Sequence, residues 1–95
     1  MKKKILIVSA NYYKDIAKGL ISSAIKLIPR TSKVKIIKVP GTFEIPIVIS
    51  QNINKYDAFL ALGCVIKGKT PHFDFISQAS INAIMDLSIS SKNPI

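Results

Sequence analysis

Short apolar runs alternate with longer stretches of helical spacing along the whole chain. Lys4 to Ser9 is the first run. Its Ile5-Leu6-Ile7-Val8 is continuous and largely β-branched, the pattern of a strand covered on both faces. Asn11-Tyr12-Tyr13 follows as a loop. Asp15 then opens a helix, as an N-cap or first-turn acid, that runs to about Ile28. Ile16, Leu20, Ala24, Leu27 and Ile28 form one apolar stripe on it, and Pro29 with Thr31-Ser32 ends it. Val34 to Val39 alternates with lysines and predicts a second strand, at an edge with one wet face. After the tight turn Pro40-Gly41-Thr42, Phe43 to about Ile53 predicts a helix. Glu44 suits its first turn, and Pro46 falls where N–H groups have no intrahelical partner. The β-branched residues between Glu44 and Ile49 leave a strand as the competing assignment. Asn54 to Asp57 is a turn. Ala58 to Cys64 has no polar interruption and predicts a third, central strand. A helix from about His72 to Ser90 would bury Ile76, Ala79, Ala83, Ile84 and Leu87. Asn93-Pro94-Ile95 reads as the start of a fourth strand. The order β-α-β-α-β-α specifies an α/β domain: a parallel sheet with helices on both faces.

Ninety-five residues fit one small domain, and 48% apolar residues argue against disorder. Fourteen basic and five acidic residues give a net charge of +9. That excess raises nucleic acid as a partner, but the basic residues are scattered and only Arg30 is an arginine. Trp is absent, and the aromatics are not interleaved with the basic residues as a stacking platform requires. The reading is therefore no nucleic acid. One cysteine forms no internal disulfide, no metal-ligand spacing is present, and a reducing cytoplasm fits. The start resembles a secretory signal, yet its apolar stretch, Ile5 to Val8, is shorter than the ~7–15 residues of a real one. No run approaches the ~20 apolar residues of a membrane span.

Ligands of open parallel sheets bind beyond the carboxyl ends of the strands. Three loops reach that edge: Ala10 to Tyr13, Pro40 to Glu44, and Cys64 to His72. In the third, Gly68-Lys69-Thr70 precedes a helix N-terminus, where N–H groups and the helix dipole suit a phosphate. The Walker spacing is absent, and an ordinary glycine turn is the alternative. His72 is the only histidine. At a helix start it could exchange protons near neutral pH, or could be a surface or capping residue. Asp74 could orient it or only complement the helix dipole. Glu44 is either a first-turn acid or a hydroxyl acceptor. Tyr12 or Tyr13 could stack on a planar ring or simply pack. Cys64 reads as a buried small hydrophobe.

Val39-Pro40-Gly41-Thr42-Phe43-Glu44-Ile45-Pro46 and Leu62-Gly63-Cys64-Val65-Ile66-Lys67-Gly68-Lys69-Thr70-Pro71-His72-Phe73-Asp74 together resemble the motifs of the 6,7-dimethyl-8-ribityllumazine synthase family, in the family's order. Ala10-Asn11-Tyr12-Tyr13 is similar to the family's aromatic-bearing loop. The resemblance spans essentially the whole chain. It implies a three-layer, flavodoxin-like α-β-α fold and a transferase of riboflavin biosynthesis that uses no metal or organic cofactor. The small-molecule substrates it implies are 5-amino-6-(D-ribitylamino)uracil and L-3,4-dihydroxy-2-butanone 4-phosphate. Tyr12 would lie on the pyrimidine. Thr42, Phe43 and Glu44, with Cys64, Val65 and Ile66, would hold the ring and the ribityl chain. Lys69 and Thr70 would hold the phosphate, and His72 would transfer protons.

Family members carry a fourth strand and two further helices, which bring another aromatic to the pyrimidine and an arginine to the phosphate. They assemble as pentamers or sixty-subunit shells with sites between neighbours. Asn11 and Lys67 stand where the family often has Arg. The resemblance therefore implies a C-terminally shortened synthase. The alternative is a truncated or split-gene product without independent activity, keeping pyrimidine or phosphate binding or a role in assembly. A shortened sheet would leave the apolar third strand as an exposed edge.

Overall fold

The structure, a computed structural model, describes residues 3–65 and 72–95, without the side chains of residues 72–74. Its elements follow the predicted alternation: β1 (Lys4–Ala10), α1 (Lys14–Leu27), β2 (Lys33–Val39), a 3₁₀ turn (Thr42–Glu44) running into α2 (Ile45–Gln51), β3 (Ala58–Leu62) and α3 (His72–Ser91). The three strands form one parallel sheet in the order β2-β1-β3. Ile7 pairs with Ile36 on one side and with Leu60 on the other. The chain thus moves outward from β1 to β2, then crosses back to add β3 beyond β1. That reversal opens a crevice at the carboxyl end of β1, where parallel sheets take their ligands.

The continuous apolar run of β1 is explained by its central place. Leu6, Ile7, Val8 and Ser9 have no exposed surface. Leu6, Val8 and Ala10 share one face with Val39 and Phe59, and α2 covers that face with Ile45 and Ile49. Ile84 and Leu87 of α3 pack against the same cluster. Each of the fully buried aliphatic side chains contributes about 1.5–3 kcal/mol by leaving water. β2 is the expected wet edge strand, and all of its lysines are exposed.

Several details differ from the pattern. β3 lies at an edge among the described residues, not at the centre, because β1 already pairs on both sides. Only Phe59 of β3 is buried. Its backbone N–H donates to the Pro94 carbonyl at 3.0 Å, and Asn93 Nδ2 donates to the Ile53 carbonyl at 2.9 Å. Ile95 packs on the core, so Asn93-Pro94-Ile95 does run beside β3 as a fourth strand would begin. Lys92, in the left-handed region with φ 59°, turns the chain out of α3.

The buried face of α1 is rotated from the predicted stripe. Ala17 is its buried residue, with Leu20, Ile21, Ala24 and Ile28 half-buried, while Ile16 and Leu27 are exposed. A small side chain sits closest to the sheet, and the larger ones flank it. In α3, Ala79 is exposed and Ser80 is buried in its place. Ser80 is there because its hydroxyl donates to the Thr42 carbonyl, at 3.4 Å.

Candidate functional site

The loops leaving β1, β2 and β3 meet at one cavity of about 630 Å³. Tyr12 and Tyr13 line it from the first loop, Pro40 to Glu44 from the second, Cys64 and Val65 from the third, and Ile76 from α3. A cavity of this size holds a small organic ligand.

Local contacts fix the loops against one another. The Asn11 N–H donates to the Val39 carbonyl at 2.8 Å, which ties the first loop to the end of β2. Tyr13 caps α1, and its carbonyl accepts from the Ala17 N–H at 2.9 Å. The second loop closes on itself through Glu44 N–H and the Gly41 carbonyl, at 3.2 Å. It then leans on the third loop at Gly63. A Cβ on Gly63 would lie 2.7 Å from Thr42 Oγ1, 3.3 Å from Thr42 Cγ2 and 3.4 Å from Ile45 Cδ1. Glycine is needed there because the second loop rests directly on the backbone that leaves β3. The Ser80 bond to the Thr42 carbonyl adds α3 to the assembly.

The lining is mainly apolar and aromatic, with one carboxylate. Tyr12 and Phe43 are 74% and 56% exposed, so each offers a ring face or edge to a ligand. The Tyr12 and Tyr13 rings meet edge to face, with centroids 4.9 Å apart. This contact sets the direction of Tyr12, the more exposed ring. The Glu44 carboxylate folds back over Gly41, where a Cβ would stand 3.4 Å from its Oε2. Thr42 Oγ1 is buried and has no hydrogen-bond partner among the described residues. The site therefore combines aromatic surface and a half-buried carboxylate acceptor, a set suited to a planar, hydroxylated ligand.

Tyr12, Thr42, Phe43, Glu44, Cys64 and Val65, six of the residues singled out from the sequence, come together here. Cys64 differs from its expected burial: β3 ends at Leu62, so Cys64 is half-buried in the loop and lines the cavity. Ile66, Lys69 and Thr70 lie outside the described residues, as does the side chain of His72, the first residue of α3. The sequence places Ile76 only in a buried helical stripe. Its early position in a helix that starts at the carboxyl edge of the sheet was the available signal of a second role. Among the described residues, no group of three His, Cys, Asp or Glu side chains could hold a metal ion. No described helix is long and apolar enough to cross a membrane.

Residues 2–95 match the family profile of 6,7-dimethyl-8-ribityllumazine synthase. The chain is 40% identical to the 6,7-dimethyl-8-ribityllumazine synthase of Methylobacterium radiotolerans over 95 residues, covering 97% of this chain and 58% of that protein. It is 40% identical to the synthase of the same name from Agrobacterium fabrum, covering 99% of this chain and 69% of that protein. A third relative, 6,7-dimethyl-8-ribityllumazine synthase 1 of Rhodopseudomonas palustris, is 37% identical, with 61% of its length covered. The chain thus spans about 58% to 69% of the length of these relatives. With residues 2–95 matched by the family profile and relatives at 37–40% identity, the chain belongs to the 6,7-dimethyl-8-ribityllumazine synthase family.

Proposed function

We propose that the chain carries the lumazine synthase site of riboflavin biosynthesis in the cytoplasm. It would condense 5-amino-6-(D-ribitylamino)uracil with L-3,4-dihydroxy-2-butanone 4-phosphate. The single observation that supports this reading is the meeting of Tyr12, Thr42, Phe43, Glu44, Cys64 and Val65 around one cavity at the carboxyl edge of the sheet.

In this reading the pyrimidine lies against Tyr12. Glu44 and the backbone around Thr42, Phe43, Cys64, Val65 and Ile66 bind its polar edge and the ribityl hydroxyls. Lys69 and Thr70 hold the phosphate at the start of α3. The 5-amino group attacks the ketone and water leaves as the imine forms. A proton is then removed from carbon, the C–O bond to phosphate breaks, and phosphate departs with the bonding electron pair. The enol left behind tautomerises to a ketone, the ribitylamino nitrogen closes on that carbonyl, and a second water leaves. No electron acceptor is needed at any step. His72 moves the protons between carbon, nitrogen and leaving oxygen, a role that suits an imidazole near neutral pH. The family's assembly as pentamers or sixty-subunit shells extends to this chain as part of the same proposal.

The test mixes both substrates with purified chain and follows the fluorescence of the lumazine product. Turnover abolished by His72→Ala and reduced at least tenfold by Glu44→Gln supports the reading. A second reading is a site that binds pyrimidine and phosphate without independent turnover. Calorimetry with a ribitylated pyrimidine separates the two. Binding without product identifies the second, and absence of both binding and product rejects both.

A further inference from the structure

A second cavity, of about 620 Å³, opens at the other ends of the same strands. Lys4, Lys33, Lys35 and Lys55 line it together with Asn54 and Tyr56. Its position follows from the sheet. Lys4 and Lys33 are register partners at the first residues of β1 and β2, so both project from the same side. Lys35 lies two residues farther along β2 and shares that side. Farther along the strands this face is closed by α2, whose last residue is Gln51. The turn that follows forms the wall, and it is pinned to the floor twice. The Asp57 N–H donates to the Lys4 carbonyl at 2.8 Å, and the Lys4 N–H donates to Asp57 Oδ2 at 2.8 Å.

Four lysines thus line one concave surface whose described lining holds no acidic residue. Asp57, the acid of that turn, directs an oxygen to the backbone of Lys4 instead. Like charges on directly opposed strand residues repel, and a concave wall concentrates their field. Among the other described lysines, Lys14, Lys18 and Lys26 belong to α1, Lys38 sits near the carboxyl end of β2 and Lys92 follows α3, while Lys3 stands beside the cluster, its carbonyl accepting from the Lys33 N–H at 2.8 Å. A compact anion fits this arrangement, and an extended one does not.

We propose that this cavity binds a small, multiply charged phosphate anion, a di- or triphosphate group, through Lys4, Lys33, Lys35 and Lys55. Asn54 adds a neutral donor at its rim. Tyr56, whose ring packs edge to face on Phe59 with centroids 6.1 Å apart, supplies an apolar wall for the organic part of an ester.

The test is calorimetry of the 95-residue chain with inorganic triphosphate, a nucleoside triphosphate, orthophosphate and duplex DNA. One triphosphate per chain is expected, bound more tightly than orthophosphate. Tighter binding of the nucleoside triphosphate identifies an organic ester as the better ligand, and equal binding identifies the bare polyphosphate group. The double variant K33Q/K35Q should weaken triphosphate at least tenfold, and K14Q/K18Q, with the same charge change on α1, less than twofold. K55Q, in the turn outside the sheet, should cost threefold or more and serves if the double variant does not fold. Triphosphate should also raise the melting temperature of the parent chain and not that of K33Q/K35Q. The proposal is overturned by absence of saturable triphosphate binding, by equal weakening in the two double variants, by an unaffected K55Q, or by duplex DNA displacing triphosphate from the same lysines.

Discussion

The two ends of the sheet carry cavities of nearly equal volume, about 630 and 620 Å³, with opposite chemistry. At the carboxyl ends the strands finish in Ala10, Val39 and Leu62 and release three loops rich in aromatic and small residues. At the amino ends two strands begin in lysine, and one turn closes the space between them. A parallel sheet makes this separation automatic. All strands start at one edge and finish at the other, so a residue type repeated at strand starts becomes a local concentration. The two ends are also held differently. The carboxyl loops lock onto one another through Asn11 and Val39, Thr42 and Gly63, and Ser80 and Thr42. The amino-end turn is held instead by the paired bonds of Lys4 and Asp57, by the Asn93 bond to the Ile53 carbonyl and by Tyr56 against Phe59.

The sharpest way to break this contrast is Gly63→Ala. The new methyl would stand 2.7 Å from the buried Thr42 Oγ1, and a β-branched side chain has few rotamers into which to retreat. A loss of about 1–3 kcal/mol is expected, of the size found for overpacked sites. Urea unfolding measures it. Thr42→Ala removes both atoms the methyl strikes, so the double variant should regain most of the loss if this contact is the cause. Pyrimidine binding should fall with Gly63→Ala, while triphosphate binding at the other end persists under conditions where the variant is folded. Equal damage at both ends would mean that the loops and the lysine turn are one mechanical unit.

Tyr12→Ala tests the carboxyl end more gently. Tyr12 is 74% exposed, so its removal should leave the unfolding midpoint within error. A stacked aromatic partner is worth about 0.5–1.5 kcal/mol beyond its buried area, which corresponds to roughly a two- to tenfold loss of affinity. Calorimetry with a ribitylated pyrimidine reads this directly, and unchanged affinity would remove Tyr12 from the site.

The fold was legible because β1 is a continuous apolar run and turn residues separate each strand from the helical stretch that follows. Ile5 to Val8 can only be a covered strand in so short a chain, and the lysines of β2 marked an edge. The placement of β3 was not legible from Ala58 to Leu62, since an apolar run says that a strand is covered, not which neighbours cover it. Part of its cover comes from Pro94 and Ile95. The faces of α1 and α3 were misread for a related reason. Hydrophobicity alone picks Ile16 and Ala79, whereas close helix–sheet approach selects Ala17 and a hydrogen bond selects Ser80. At the candidate site, the loop residues stood out by their types and by their place after each strand. The close approach of Thr42 to Gly63 had no sequence signal, because it depends on how two loops distant in the chain are set side by side. The lysine cavity was invisible for the same reason. Lys4, Lys33, Lys35 and Lys55 look scattered until the register of β1 and β2 brings them together.

The smallest effect expected is a gain. If the lysines of the amino end repel one another in the empty cavity, Lys33→Gln should stabilise the chain, because it removes the charge directly opposite Lys4. Cross-strand pairs of this kind are worth roughly 0.2–1 kcal/mol, and two exposed side chains place the gain at the lower end. Salt provides the sign check. Raising ionic strength from about 0.1 M to about 1 M shortens the Debye length from about 10 Å to about 3 Å, so the advantage of Lys33→Gln should vanish at high salt. Lys14→Gln, on a helix in its first turn, removes a positive charge from a helix N-terminus and should also stabilise slightly. It therefore cannot serve as the neutral reference; Lys18→Gln, one turn farther on, can. A gain for Lys33→Gln over Lys18→Gln that disappears with salt locates the strain at the amino edge of the sheet. Equal values for the two would mean that the cavity lysines keep out of one another's way by extending into solvent, and the contrast between the two ends would reduce to one of shape.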